Sequence, residues 1–292
     1  MEPGNYLVIN HTSATRYPDI TIMAPDSGST GFSVDADNLD SVLATIAEAT
    51  SGRPATTAID LARKLVFGEF DNRWDLLSEE NGASFRETIQ TYRCGSDGSL
   101  VRTILDLGDA SSRALTLTRC ELDGQLLSVD LIAESGLTFI ITITNLTMDD
   151  PGTGKTVLSG SYTDARGSSG SGVQAMNVRY LRSDTLGGSV LDYSFDGYET
   201  DTELDVSWRQ RNYTAGNVWF TATTDEVFRR TSRDQEYDSG KLSVDVLTGP
   251  AIAIDAANGN SQQFTVTVQD ENATSSFVLD WSADNRFALE FE

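Results

Sequence analysis

Residues 203–208 read ELDVSW, an alternation of polar and apolar side chains with a period of two. Successive side chains of a β-strand point to opposite faces of a sheet, so this stretch predicts a strand with one buried face and one hydrated face. The same alternation recurs at residues 218–222, 241–246 and 263–268. Alternation of this kind is typical of antiparallel sheets, and it predicts such a sheet here.

Turn signals separate these segments, among them glycine- and asparagine-containing turns at residues 187–188 and 258–260. From about residue 84 we expect roughly fourteen strands, spaced 8–12 residues apart. The longest apolar run, residues 139–143, is far below the ~20 residues that span a bilayer, and it also predicts a strand. The expected fold is mainly β: a large antiparallel meander or sandwich.

Two short helices are expected before the strands. Asp37 resembles an N-cap, and Leu39, Val42, Leu43 and Ile46 then form an amphipathic stripe that Gly52 ends. Pro54 suits the first turn of a second helix, which continues to Gly68. Its helically spaced positions are Ile59, Ala62, Arg63 and Val66.

The chain divides into three expected parts. Residues 1–80 form an N-terminal segment whose two helices pack on the sheet, and residues 81–235 form the main antiparallel β domain. Residues 236–292 supply C-terminal strands, as a small sub-domain. The second boundary is expected at the charged, unpatterned residues 229–236.

Composition excludes several functions. The chain has 44 acidic and 21 basic residues, a formal charge of −23, and a single histidine, His11. Nucleic acids and anionic lipids are bound through Lys and Arg, so neither is an expected partner. Most catalytic zinc sites need two or more imidazoles, and His11 lies in a segment that does not suggest a catalytic base. We expect no cofactor and no metal centre.

Three motifs suggest ligand sites but have simpler interpretations. Residues 151–156 (PGTGKT) end like a P-loop, but Asp149 replaces its first glycine and a hairpin turn is expected instead. The glycine-rich residues 167–172 predict a flexible hairpin loop. The acidic residues 35–40 and 196–205 fit a helix start and a solvated hairpin better than calcium loops.

Cys94 and Cys120 each end a predicted strand. A disulfide between them would close a loop of about 27 residues and contribute roughly 3–4 kcal/mol. The alternative is two unpaired thiols in a reducing compartment.

Four tryptophans are candidates for stacking on sugars. Trp208 and Trp281 close apolar runs and are expected in the core. Trp219 is out of phase with Val218 and Phe220, which makes it the candidate ligand-binding aromatic residue.

Several short motifs together resemble a diffuse group of uncharacterised exported proteins and lipoproteins of Gram-negative bacteria. They are residues 33–38 before the first helix, residues 94–99 (CGSDGS), Cys120 with the following Asp123-Gly124 turn, and residues 238–244 (DSGKLSV). The resemblance implies secretion, a Cys94–Cys120 bridge and a β-rich body. The lipidated cysteine of that group is absent here, and we expect that it preceded Met1 and was removed.

These observations favour a non-enzymatic exported envelope protein, periplasmic or anchored to the outer membrane, with a structural, adhesive or ligand-binding role. The alternative is a carbohydrate-active protein, either a binding module or a hydrolase that uses acidic residues. The expected partner is an envelope component or a glycan.

Overall fold

The computed structural model describes Val34, residues 37–152, 154–165, 172–183, 190–212, 218–247, 249–256, 262–270 and 273–281, and Phe287; the side chains of residues 190, 212, 218 and 219 are not described. Two helices, α1 (Leu39–Thr50) and α2 (Arg53–Phe67), and the short 3-10 helix Asp71–Arg73 precede the strands. The strands are β1 (Asp75–Asn81), β2 (Glu87–Arg93), β3 (Ser99–Asp106), β4 (Ser111–Leu122), β5 (Gln125–Ser135), β6 (Phe139–Asp150), β7 (Gly154–Asp164), β8 (Gln174–Ser183), β9 (Val190–Glu199), β10 (Glu203–Asn212), β11 (Val218–Arg229), β12 (Ser239–Val246), β13 (Ala251–Asp255), β14 (Gln263–Gln269) and β15 (Thr274–Asp280).

All fifteen strands form one sheet in chain order, β1 to β15, and every neighbouring pair is antiparallel. The predicted antiparallel meander is therefore confirmed. β11 pairs with β12 across the charged residues 229–236, so the sheet continues through the second expected boundary. The three-part division of the chain stays a prediction.

The period-two segments lie as predicted. Leu204, Val206 and Trp208 of β10 are buried, and so are the apolar positions of β12 and β14. Both helices pack on the face that these residues share, α2 on β4–β8 and α1 on β10. We call this the inner face of the sheet and the opposite one the outer face.

Helix α1 begins one residue later than predicted, with Asn38 rather than Asp37 at the N-cap position. Its predicted stripe is correct, since Leu39, Val42, Leu43 and Ile46 are all buried. This stripe holds the helix on the sheet, because a twelve-residue helix is marginal without tertiary packing.

Helix α2 begins after Gly52 (φ 74°) and ends at Gly68 (φ 80°), both in the left-handed region that glycine adopts at little cost. Pro54 lies in its first turn as predicted. Of the helically spaced positions, Ile59, Ala62 and Val66 are buried, whereas Arg63 is not. Its side chain is 43% exposed and pairs with Asp60 at 2.8 Å, an i, i+3 contact on the hydrated side of the helix.

The C-terminal end of α2 is fastened to the sheet by Arg102 of β3, which is only 2% exposed. Its guanidinium donates to the carbonyl oxygen of Leu65 at 2.9 Å and to both carboxylate oxygens of Asp71 at 2.6 and 2.7 Å. The last carbonyls of a helix lack partners within the helix, so this arginine supplies one from the sheet. Burial, and then Asp71, which accepts the hydroxyl proton of Tyr92 at 3.0 Å, raise the pKa of that tyrosine.

The end of α1 is fastened in the same way by two aromatic side chains of the inner face. The Tyr193 hydroxyl donates to the carbonyl oxygen of Ala49 at 2.6 Å, and Trp208 Nε1 donates to Thr50 Oγ1 at 3.1 Å. Tyr193 is fully buried, and its burial raises its pKa well above the ordinary value of 10.0. Each helix is therefore fixed at its C-terminal end by polar atoms of the sheet.

Candidate functional site

The predicted disulfide is present: Cys94 and Cys120 are bonded, and both are fully buried. Cys94 lies directly after β2, and Cys120 lies in β4, two strands away in the sheet. The bridge therefore ties the β2–β3 hairpin to β4. No free cysteine occurs among the described residues.

The P-loop-like residues 151–156 join β6 to β7, where Asp149 pairs with Lys155 and Asp150 with Gly154. The predicted hairpin turn is confirmed. No helix follows it, so the motif lacks the helix N-terminus that a phosphate site of this kind needs.

The acidic residues 196–205 form the turn end of the β9–β10 hairpin, as expected, but one of them is not solvated. Glu199 is 4% exposed and accepts from Arg230 Nη2 at 2.6 Å. Arg230 also donates to the backbone oxygens of Asp201 and Thr200, so the pair is hydrogen-bonded as a buried charge must be. Within the described parts of the chain, no group of three acidic, histidine or cysteine side chains is arranged to hold a metal ion.

Trp208 and Trp281 pack in the core, as predicted. Trp208 is 3% exposed, and Trp281 stacks on Phe264 with ring centroids 4.2 Å apart. The backbone of Trp219 lies in β11 opposite Arg211, but its side chain is outside the described residues. His11 and residues 167–171 of the glycine-rich stretch 167–172 also lie outside them.

A groove of about 540 Å³ crosses β7 to β11 on the outer face of the sheet. Its position follows from the strand register: Gly160, Val178, Phe195, Trp208 and Ala222 occupy one row across the five strands. Because Trp208 contacts α1 on the inner face, the side chains one residue before and after this row point outward. The groove therefore runs between two outward rows, with the backbone of the central row as its floor, and we call it the trough.

The first outward row of the trough, the basic row, alternates hydroxyl and guanidinium groups. It contains Ser159, Arg179, Ser194, Arg209 and Thr221, each paired with the next across neighbouring strands. The second row contains Asn177, Asp196, Ser207 and Thr223. The trough extends about 19 Å, four strand spacings of about 4.8 Å each.

Small residues account for the depth of the trough. Ser194 and Ser207 lie between longer side chains, and Gly160 (φ +128°) lets β7 approach β8 closely, since a Cβ atom there would lie 2.1 Å from the Asn177 backbone oxygen. Larger side chains at Ser194 and Ser207, which point outward, would fill the groove. The small side chains therefore leave a recess on an outer face that longer polar side chains would otherwise cover.

The side chains that line the trough carry a net positive charge, unlike the chain as a whole. Two arginines and one aspartate line it, whereas the whole chain has a charge of −23. Arg179 Nη2 lies 3.6 Å from Asp192 Oδ2, with 52% of the arginine side chain exposed. Arg209 is exposed and forms no ion pair with any residue in the described part of the chain. These arginines were not among the residues that the sequence singled out.

No helix in the described part of the chain combines the length and apolar composition needed to cross a membrane. Comparison of the chain with models of protein families, with curated proteins and with solved structures gives no match.

Proposed function

We propose that the protein is an exported, non-enzymatic component of a bacterial envelope that binds an extended glycan in the trough. The observation that carries the proposal is the trough itself, a recess about 19 Å long lined by hydroxyl, amide and guanidinium groups. These groups donate and accept hydrogen bonds along its whole length, as a chain of sugar hydroxyls requires.

A binding role suits the trough better than hydrolysis. Acid-based glycoside hydrolysis uses two carboxyl groups that flank the scissile bond. Among the described residues that line the trough, Asp196 is the single carboxylate. The hydrolase alternative is therefore not supported by this site, whereas the binding-module alternative is compatible with it.

Export is supported by the buried Cys94–Cys120 bridge, because structural disulfides persist mainly in oxidising compartments. It is tested by fractionating the native cells and probing each fraction with an antibody. Recovery in the periplasm or outer membrane is the expected result, and recovery with the cytosolic enzymes would contradict export.

The binding role is tested on a glycan array with two matched variants. Ser194→Tyr places a large side chain in the middle of the basic row, and Thr116→Tyr places the same side chain on the outer face of β4, outside the trough. We expect the wild type and Thr116→Tyr to bind the same extended glycans, and Ser194→Tyr to bind none. An array without bound glycans, or equal binding by all three proteins, would refute the proposed function.

A further inference from the structure

We infer that the trough selects acidic polysaccharides, with Arg179 and Arg209 each binding a carboxylate of the polymer. This inference rests on the proposed function, since it assigns the chemical class of the ligand to the same trough.

The two arginines are spaced for separate charges on one ligand. Arg179 and Arg209 both pair with Ser194, from opposite sides, so they are two strands apart. Two strand spacings separate their Cα atoms by about 10 Å. Hydroxyl groups of Ser159, Ser194 and Thr221 occupy the positions beside and between them. A polymer with sparse carboxylates and intervening hydroxyl groups matches this alternation.

Both guanidinium groups are available to a ligand. Arg209 has no ion-pair partner within the described residues, and Arg179 holds Asp192 only at 3.6 Å, longer than a good charge-assisted hydrogen bond. A guanidinium presents two parallel N–H groups to a carboxylate, which makes it more selective for that group than an ammonium.

The second row complements the remaining polar groups of a sugar. Asp196 accepts hydrogen bonds from hydroxyl groups, and the Asn177 amide both donates and accepts. Because Asp196 lies across the trough from the arginines, it also repels ligand carboxylates toward the basic row. The two rows therefore fix which edge of an acidic sugar faces which wall.

The surrounding acidic residues select against densely charged polymers. At 0.15 M salt the screening length is about 8 Å, so contacts within the trough outweigh most of the distant charge of −23. A nucleic acid strand carries a phosphate every ~3.4 Å and would place about five in the trough against two arginines. Acidic glycans that carry a carboxylate on every second sugar place fewer charges in the same length and need fewer cations.

The inference is tested by calorimetric titration at 0.15 M salt with three probes: oligogalacturonate, oligomannuronate and hyaluronate fragments, each compared with its methyl ester. The esters keep the sugar chain and remove the charge. We expect at least one acid to bind and its ester to bind about ten-fold more weakly or not at all.

Three charge variants accompany the probes. Arg179→Gln and Arg209→Gln should each weaken binding of the acid about ten-fold and leave binding of the ester unchanged. Arg182→Gln is the control. Arg182 is an exposed arginine of the same strand as Arg179, but its side chain points to the opposite face of the sheet from the trough. Equal urea midpoints for all variants establish that the fold is retained.

The outcomes separate the two proposals. If acids and esters bind equally and Ser194→Tyr blocks both, the acidic preference is refuted and the proposed function stands. If Arg182→Gln weakens binding as much as Arg209→Gln, the assignment to the basic row is wrong. If single-stranded DNA binds the wild type as tightly as the acids do, with the same arginine dependence, the site recognises anions in general and the inference fails. Absence of binding by all probes, including the glycan array, refutes the proposed function as well.

Discussion

Arg102 shows how one buried charge can join four elements. It reaches from β3 to the end of α2 and to Asp71 in the following 3-10 helix, and Gln90 of β2 accepts from it at 3.2 Å. A buried guanidinium is stabilising only when partners satisfy it, and here Nη1 and Nη2 are satisfied, whereas Nε is buried without a hydrogen-bond partner among the described residues. Its contribution is therefore one of position: it fixes where α2 ends relative to the sheet.

Replacing Arg102 with leucine should lower the free energy of unfolding by about 3 kcal/mol, since Asp71 and the Leu65 carbonyl each lose one of their hydrogen-bond donors. Urea denaturation measures this loss. Arg182→Leu, an exposed arginine of β8, is the matched control and should change stability by about 0.5 kcal/mol or less. Equal losses in the two variants would show that Arg102 does not fasten α2.

Tyr193 gives the protein an alkaline sensitivity. Burial keeps it neutral in the folded state, and the nearby Glu48 reinforces this, so its pKa is raised well above 10.0. In the unfolded chain it ionises from pH ~10 upward, which stabilises the unfolded state. The contribution of Tyr193 to stability is therefore complete below pH ~10 and is lost as the pH rises above it.

Tyr193→Phe should cost about 1 kcal/mol at pH 8, because the Ala49 carbonyl loses its donor. Above pH ~10 the gap between wild type and variant should shrink by about 1.4 kcal/mol per pH unit, since the variant has no proton to lose there. Urea midpoints of both proteins at pH 8, 10 and 11 measure the gap. Other tyrosines are common to both proteins, so a constant gap would contradict the buried neutral state of Tyr193.

At the scale of elements, the disulfide links the end of β2 to β4, two strands that do not pair directly with each other. Cys94 and Cys120 are separated by 26 residues, and the bridge restricts that loop in the unfolded chain. Replacing both with alanine should lower the free energy of unfolding by about 3–4 kcal/mol.

The urea midpoint of the double alanine variant should coincide with that of the wild type under reducing conditions. Wild type that denatures at the same midpoint with and without reductant would contradict a stabilising bridge. Thiol titration of the denatured, unreduced wild type should detect no free thiol.

The elements also show what the sequence could reveal. The stripe of α1 and the alternation of β10 were readable because each repeats within one element, with the period of a helix or of a strand. The anchors Arg102 and Tyr193 were not, since their partners lie 37 and 144 residues away. Helical spacing alone groups Arg63 with the buried positions of α2, and it does not show that the charge of Arg63 pairs with Asp60 at the surface.

The candidate site was hidden for a related reason. Arg179 and Arg209 each lie at an outward position that alternation predicts, but their common row depends on the register of β8, β9 and β10. A shift of one residue in a strand would reverse its faces, and turn composition does not fix register to that accuracy. The sequence alone shows only that two arginines lie among small hydroxyl residues, and this does not indicate that they share one row of the sheet.

At the scale of the whole molecule, the charge of −23 opposes the compact state by self-repulsion. Raising NaCl from 0.1 to 1 M shortens the screening length from about 10 to 3 Å, so the urea midpoint should rise. Measuring it at several salt concentrations tests this. A midpoint that falls with salt would show that ion pairs such as Arg102–Asp71 dominate instead.

The order of the strands has a consequence for how the protein forms. A ribosome releases the chain from its N-terminus, and each strand here pairs with the strand made just before it. The loops that must close are short, so the sheet can grow by one edge at a time with little entropy lost at each step. Helix α1 is the exception, because it emerges before any of the strands but its anchors in β9 and β10 emerge about 150 residues later. While those residues are made, the C-terminal end of the helix is without the aromatic partners that finally hold it, which makes the nascent helix a segment that a chaperone would need to cover.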